Sequence, residues 1–139
     1  MTPSDLARLH AICFTSPRPW SEAEFSEMLA SKTTQLHSVN DGFLLGRVAG
    51  PEAEILTLAI APDNRRKGLA RILLARFETA LKAGNTEQIF LEVAEANHPA
   101  IALYRAAGFR DAGYRKDYYD GNNGQKSAAL VMVKALLTS

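Results

Sequence analysis

A run of cations and small residues, Arg65-Arg66-Lys67-Gly68-Leu69-Ala70, lies between an apolar stretch ending at Ile60-Ala61-Pro62 and an amphipathic stretch beginning at Leu69. With a strand before it and a helix after it, backbone N–H groups at the helix start point at an anion, and the positive end of the helix dipole adds to their pull. Gly68 and the small Ala70 let phosphate oxygens approach the backbone, while Arg65, Arg66, Lys67 and Arg71 supply charge. Such a loop can hold the two phosphates of a pyrophosphate. The same cations also fit a merely solvated helix start, and the loop alone does not choose. A nucleic-acid contact finds no support in interleaved aromatics or in the formal net charge of +1.

Other residue types that do chemistry are ambiguous by themselves. Glu92, near the end of the short apolar run Ile89 to Val93, reads on its own as an ordinary strand-end carboxylate, with Glu95 three residues further on. Tyr104 stands at helical spacing from Ile101, which suits a core aromatic as well as a proton donor. His10, His37 and His98 lack the spacing of a metal site and have no cysteine partners, so no metal is expected. The single cysteine, Cys13, sits among Leu9, Ala11, Ile12 and Phe14 and reads as a packed thiol rather than a nucleophile.

These groups need elements to position them. Leu6, Leu9, Ile12 and Cys13 recur at helical spacing over Ser4–Cys13, with Ser4 or Asp5 placed as the cap. Ser21-x-x-Glu24 is a capping box ahead of Phe25, Met28 and Leu29, with Trp20 placed to staple the start of that second helix. Gly42–Val48 follows the turn dipeptide Asp41-Gly42 and reads as a strand. Glu54–Ala61 reads as its antiparallel neighbour, central in the sheet by its near-continuous apolar run. A helix over Leu69–Ala83, a strand over Ile89–Val93 and a helix over Pro99–Ala107 follow. Strands over Phe109–Tyr118 and Ala128–Val133, joined by the polar turn Asp120-Gly-Asn-Asn-Gly124, complete the order. This succession predicts an α/β (α+β) domain with a mixed sheet flanked by helices.

The 139 residues, 47% hydrophobic and 22% charged, suit one globular domain spanning 1–139. No apolar run reaches the roughly 18 residues of a membrane span, and no secretory signal pattern opens the chain. A cytoplasmic protein without membrane attachment is the expectation.

Taken in order, the motifs resemble those of the GNAT acetyltransferases. Arg65-x-x-Gly68-x-Ala70 is similar to the acetyl-CoA signature of that family, with Ala70 where glycine is commoner. Asn97, Ala100, Leu103, Tyr104, Gly108 and Phe109 match its second shared motif, Asn-x-x-Ala-x-x-Leu-Tyr-x-x-x-Gly-Phe. Within the family, Pro19-Trp20-Ser21-Glu22, Leu91-Glu92-Val93-x-x-x-Asn97 and Arg115-Lys-Asp-Tyr118-Tyr119 look most like the RimI-type protein N-terminal acetyltransferases. Against the pattern of the GNAT fold the usual first strand is missing, which leaves a sheet edge that could pair between chains; a monomer or weak homodimer is the expectation.

The resemblance implies acetyl-CoA as co-substrate and the α-amino group of a protein, commonly a small-subunit ribosomal protein beginning with alanine, as acceptor. It implies Glu92 as the base, with Glu95 the weaker candidate, and Tyr104 as the acid that protonates the departing thiolate. It places the pyrophosphate on Arg65, Arg66, Lys67, Gly68, Leu69, Ala70 and Arg71, and the pantetheine arm on Leu58, Ala59, Ile60 and Asn97. A backbone N–H of Leu58-Ala59-Ile60, freed by a bulge, would meet the carbonyl oxygen. Trp20, Tyr118 and Tyr119 are candidates to shape a peptide groove, although the two tyrosines equally fit a strand end with one ring buried. The same fold could instead serve a small amine or a lysine, or only bind acetyl-CoA.

Overall fold

Residues 1–14, 19–65, 67–120 and 126–136 are described in the computed structural model, with the backbone course alone for 117–120, 126 and 127. Helix α1 (Pro3–Cys13) opens on a capping box in which Thr2 Oγ1 accepts from the Asp5 N–H and the Asp5 carboxylate accepts from the Thr2 N–H. Thr2 is therefore the cap, not Ser4 or Asp5, because Pro3 is suited to the first helical position and moves the start forward. Helix α2 (Glu22–Ala30) opens on the expected Ser21–Glu24 box. The Trp20 ring ahead of it lies 5.4 Å from that of Phe25, which staples the helix start.

Among the described residues six strands form one mixed sheet in the order β1-β2-β3-β4-β6-β5. Strands β2 (Gly42–Ala49) and β3 (Glu52–Ile60) are the expected antiparallel pair, and β1 (Thr34–Val39) adds to the outer side of β2. Apolar patterning does not announce β1, since only Leu36 and Val39 of Thr-Gln-Leu-His-Ser-Val are apolar and all six residues are half-buried. The strand exists because β2 offers it a ladder and α2 and α3 pack against it. Among the described residues no strand precedes α1, so β1 forms the edge on that side.

Helix α3 (Leu69–Ala83) crosses over to β4 (Gln88–Ala94), the parallel neighbour of β3. Helix α4 (His98–Ala106), β5 (Arg110–Asp120) and β6 (Lys126–Ala135) follow, with β6 inserted between β4 and β5. Each face of the sheet has its own core. Leu73, Phe77, Leu81, Ile101 and Tyr104 pack on Leu44, Ile55, Leu91 and Met132 under α3 and α4. On the opposite face, Leu6, Leu9 and Phe25 pack on Phe43, Leu45 and Ala59 under α1 and α2. Gly46 is required by close approach, since a Cβ there would lie 2.3 Å from the Phe77 ring.

Candidate active site

The central event of the sheet is a slip in register. Leu45 faces Thr57 but Gly46 faces Ile55, so Leu56 on β3 is an extra residue, a β-bulge. The bulge also shifts which residues face which core. Ile55 lies in the α3–α4 core, Leu56 packs in the α1–α2 core and Thr57 reaches His10 on α1, after which Leu58 and Ala59 resume the alternation. The bulge thus precedes the expected Leu58-Ala59-Ile60 stretch by two residues.

Pairing of β3 with β4 stops at the same place. Its last pair is Ile55 with Leu91, and beyond it the two parallel strands have no partners in each other. The Ala61 N–H donates to the Asp41 carbonyl at 2.8 Å, on the β2 side. Strand alternation then directs the N–H groups of Leu58 and Ile60 to the other side, into the opening between β3 and β4. The Ile60 carbonyl, on that side too, accepts from Arg65 Nε at 3.0 Å and from Cys13 Sγ at 3.3 Å. Cys13 is thereby a half-buried hydrogen-bonding thiol, as a structural cysteine should be.

Glu92 is the first residue of β4 past the last β3 pair. Its neighbours Leu91 and Val93 belong to the α3–α4 core, so its carboxylate is on the opposite face, the one that carries α1 and α2. Glu92 Oε1 is 3.2 Å from Arg115 Nε on β5, with 17% of the Glu92 side chain exposed and 56% of that of Arg115. Glu95, beyond the strand, is exposed. Tyr104 is on the other face, its ring buried and edge-on to Phe109 at 5.6 Å. Asn97 caps α4, its Oδ1 accepting from the Ala100 N–H at 3.2 Å. That oxygen is engaged in structure, which leaves the amide NH₂ as the part of Asn97 with donors to offer.

At the end of β3 a turn, Pro62–Asn64, leads into the basic loop. Gly68 is the cap of α3 in the left-handed region, φ +76°, where glycine alone is free of strain. It provides no side-chain cap, and among the described residues the first N–H groups of α3, those of Leu69, Ala70 and Arg71, have no capping partner and by helix geometry point out of the helix. A groove of about 230 Å³ opens there, lined by Ile60, Asn64, Arg65, Gly68, Leu69, Ala70 and Arg71 and closed on the α4 side by Leu103. Lys67 is exposed beside it and donates to Asn64 Oδ1 at 3.1 Å. Arg65 is divided between bracing the Ile60 carbonyl and facing the groove.

The sequence profile of the Acetyltransferase (GNAT) family matches residues 8–109, a span that holds the bulge, the basic loop, Glu92 and Tyr104. The chain belongs to the GNAT acetyltransferase family. As a GNAT enzyme it is an acetyl-CoA-dependent N-acetyltransferase. It is 32% identical over 117 residues to the ribosomal protein bS18-alanine N-acetyltransferase of Escherichia coli K12, covering 81% of this chain and 79% of that one. It is likewise 32% identical over 122 residues to the N-alpha-acetyltransferase RimI of Mycobacterium tuberculosis, covering 81% and 75%. The crystal structure of the Escherichia coli ribosomal-protein-S18-alanine N-acetyltransferase superposes with a TM-score of 0.87 at 26% identity, over 99% of this chain and 89% of that one. Arabidopsis thaliana NAA60 in complex with acetyl-CoA shares the fold, with a TM-score of 0.80 at 20% identity over 97% and 95%.

In this GNAT fold, Ile60, Arg65, Gly68, Leu69, Ala70 and Arg71 line one groove at the end of β3, and Leu58 lies two residues before Ile60 on the same strand. Asn64 and Leu103 were not expected there; Leu103 was legible only as a member of the second motif. Trp20 is half-buried, its backbone N–H donating to His10 Nδ1 at 2.9 Å and its ring packed on His10 and Phe25 in the α1–α2 core. Arg66 and the side chains of Tyr118 and Tyr119 lie outside the described residues. His10 itself was missed as anything but a non-ligand. It is 3% exposed, its Nε2 is 3.0 Å from Thr57 Oγ1 beside the bulge, and burial lowers its pKa to about 4, a fall that the charge of Glu24 opposes. With Nδ1 accepting from Trp20, the ring is neutral and carries its proton on Nε2, which donates to Thr57. Among the described residues no cluster of three or more His, Cys, Asp and Glu side chains is placed to hold a metal, and no helix is long and apolar enough to cross a membrane.

Proposed function

We propose that this GNAT enzyme transfers acetyl from acetyl-CoA to the α-amino group at the N-terminus of a protein, a small-subunit ribosomal protein beginning with alanine being the first candidate. The observation that carries the reading is the place of Glu92: the first β4 residue past the point where β3 and β4 part, with the freed N–H groups of Leu58 and Ile60 on the facing strand. The likeness to a bS18-alanine N-acetyltransferase over 81% of the chain supports the choice of acceptor.

The residues present fit the co-substrate. The first N–H groups of α3, those of Leu69, Ala70 and Arg71, at the positive end of a helix of 15 residues, suit a pyrophosphate, with Lys67, Arg71 and, by the signature, Arg66 adding charge. Leu58 and Ile60, with Asn97, would hold the pantetheine arm along the opening, and Ala59 backs it from the other core. Bound acetyl-CoA supplies a thioester carbonyl as the electrophile. The Leu58 or Ile60 N–H is positioned to donate to that carbonyl oxygen as negative charge develops on it.

Glu92 accepts the proton that the α-ammonium group must lose, directly or through a water. An α-amino group of pKa about 7.7–8.0 asks only a modest base. Tyr104, on the other face, donates its phenolic proton to the departing sulfur and recovers one afterwards. Trp20, Tyr118 and Tyr119 would border the acceptor's first residues. The test is mass spectrometry of a panel of peptides incubated with acetyl-CoA and the purified protein, with free CoA measured in parallel. Acetylation of the α-amine of peptides beginning with alanine is expected; acetylation of lysine or small amines alone, or binding without turnover, would refute the reading.

A further inference from the structure

Glu92 is held by a residue two strands away. Arg115 is opposite Ala129 on β6, and Ala129 is opposite Ala94 on β4, two residues from Glu92 on the same face. The alanine at 129 leaves the lane across β6 clear, so the arginine crosses it and its Nε comes to 3.2 Å from Glu92 Oε1. We infer that Arg115 is a positioning residue for this acetyltransferase, fixing one oxygen of the Glu92 carboxylate so that the other is presented to the acceptor amine. The inference rests on the reading of Glu92 as the base.

Two features favour orientation over mere stabilisation. The Arg115 side chain is 56% exposed, so solvent screens the attraction and the pair adds little to folding. The Glu92 side chain is only 17% exposed and sits at an opening of the sheet, where its free rotation would point the carboxylate along the strands as readily as toward the cleft. A second role follows from charge. A lone carboxylate next to an α-ammonium group would bind it as an ion pair and keep it protonated. With one oxygen taken by a guanidinium, Glu92 offers that ammonium a weaker resting place and still accepts its proton through the other oxygen.

The experiment is steady-state kinetics, with acetyl-CoA and a peptide beginning with alanine, on the wild-type protein, Arg115→Ala, Arg115→Lys, Glu92→Gln and the double variant Glu92→Gln/Arg115→Ala. Arg115→Ala should lower kcat by about tenfold or more, within the range of a positioned acid–base group, with the KM for acetyl-CoA and the melting temperature unchanged. Arg115→Lys should recover part of the loss. In the double variant the arginine change should cost nothing beyond Glu92→Gln, because there is no base left to position. Wild-type kcat in Arg115→Ala, or a second loss of equal size in the Glu92→Gln background, would overturn the inference. Wild-type turnover in Glu92→Gln would instead remove the base itself, a different failure that the single variants separate.

Discussion

The buried histidine makes the stability of this enzyme depend on pH in a way that one substitution can isolate. His10 is neutral in the folded protein, with Nδ1 accepting from Trp20 and Nε2 donating to Thr57, and its pKa falls from 6.5 to about 4. In the unfolded chain the imidazole takes a proton as pH drops through 6.5; in the folded protein it does so only near 4. Between these values the unfolded state binds one more proton, so stability falls as pH falls, by about 1.4 kcal/mol per pH unit. From pH 7 to pH 5 the loss is about 2 kcal/mol, and it levels off near 3 kcal/mol below pH 4. The assay is urea denaturation of the wild type and His10→Gln at pH 7 and pH 5. The glutamine variant should be the less stable at pH 7, by about 1–3 kcal/mol for the two buried partners that it leaves poorly met, but the gap should narrow at pH 5 by about 2 kcal/mol. All other titrating groups are common to both chains and cancel in the comparison. A gap that stays constant would refute the neutral, doubly bonded His10.

Three other outcomes follow from the site and its supports. Tyr104→Phe keeps the ring that packs on Phe109 and deletes only the hydroxyl. Its kcat should fall by about tenfold or more while thermal melting barely moves; wild-type turnover would return Tyr104 to the core. Gly68→Ala puts a side chain at φ +76° with no atom of the described residues beyond its chain neighbours within 4 Å, so the cost is backbone strain of about 1–2 kcal/mol and a methyl in front of the α3 N–H groups. Calorimetric titration with acetyl-CoA should show weakened binding by about tenfold, and unchanged affinity would move the pyrophosphate elsewhere. Lys134→Met removes Nζ contacts of 2.6 Å to both Glu78 and the Ala107 carbonyl at the end of α4. With both side chains mostly buried, denaturation should report a loss of about 2 kcal/mol; none would mean that the pair is solvated.

Most of the elements were legible because their signals are local. The Ser21–Glu24 box, the helical spacing from Leu69 to Leu81 and the apolar run of β3 each need only neighbouring residues, and each appears where the spacing places it. The cap of α1 moved to Thr2 because a proline in the first turn favours an earlier start. The edge strand β1 was not legible, since half-polar residues become a strand only when β2 is there to pair with them.

The sequence by itself determined the family and the course of the chain from strand through basic loop to helix. A glycine that must adopt positive φ, cations around it and a helix behind it are all within a few residues of one another, and the second motif follows at a fixed distance. Tertiary structure alone decided how the site is assembled. The Leu56 bulge, the end of β3–β4 pairing at Ile55 and Leu91, the closing of the groove by Leu103, and the contacts of His10 with Thr57 and Arg115 with Glu92 join residues far apart in the chain. Strand register and the packing of helices on two faces set those distances, and neither is written in the spacing of any one segment.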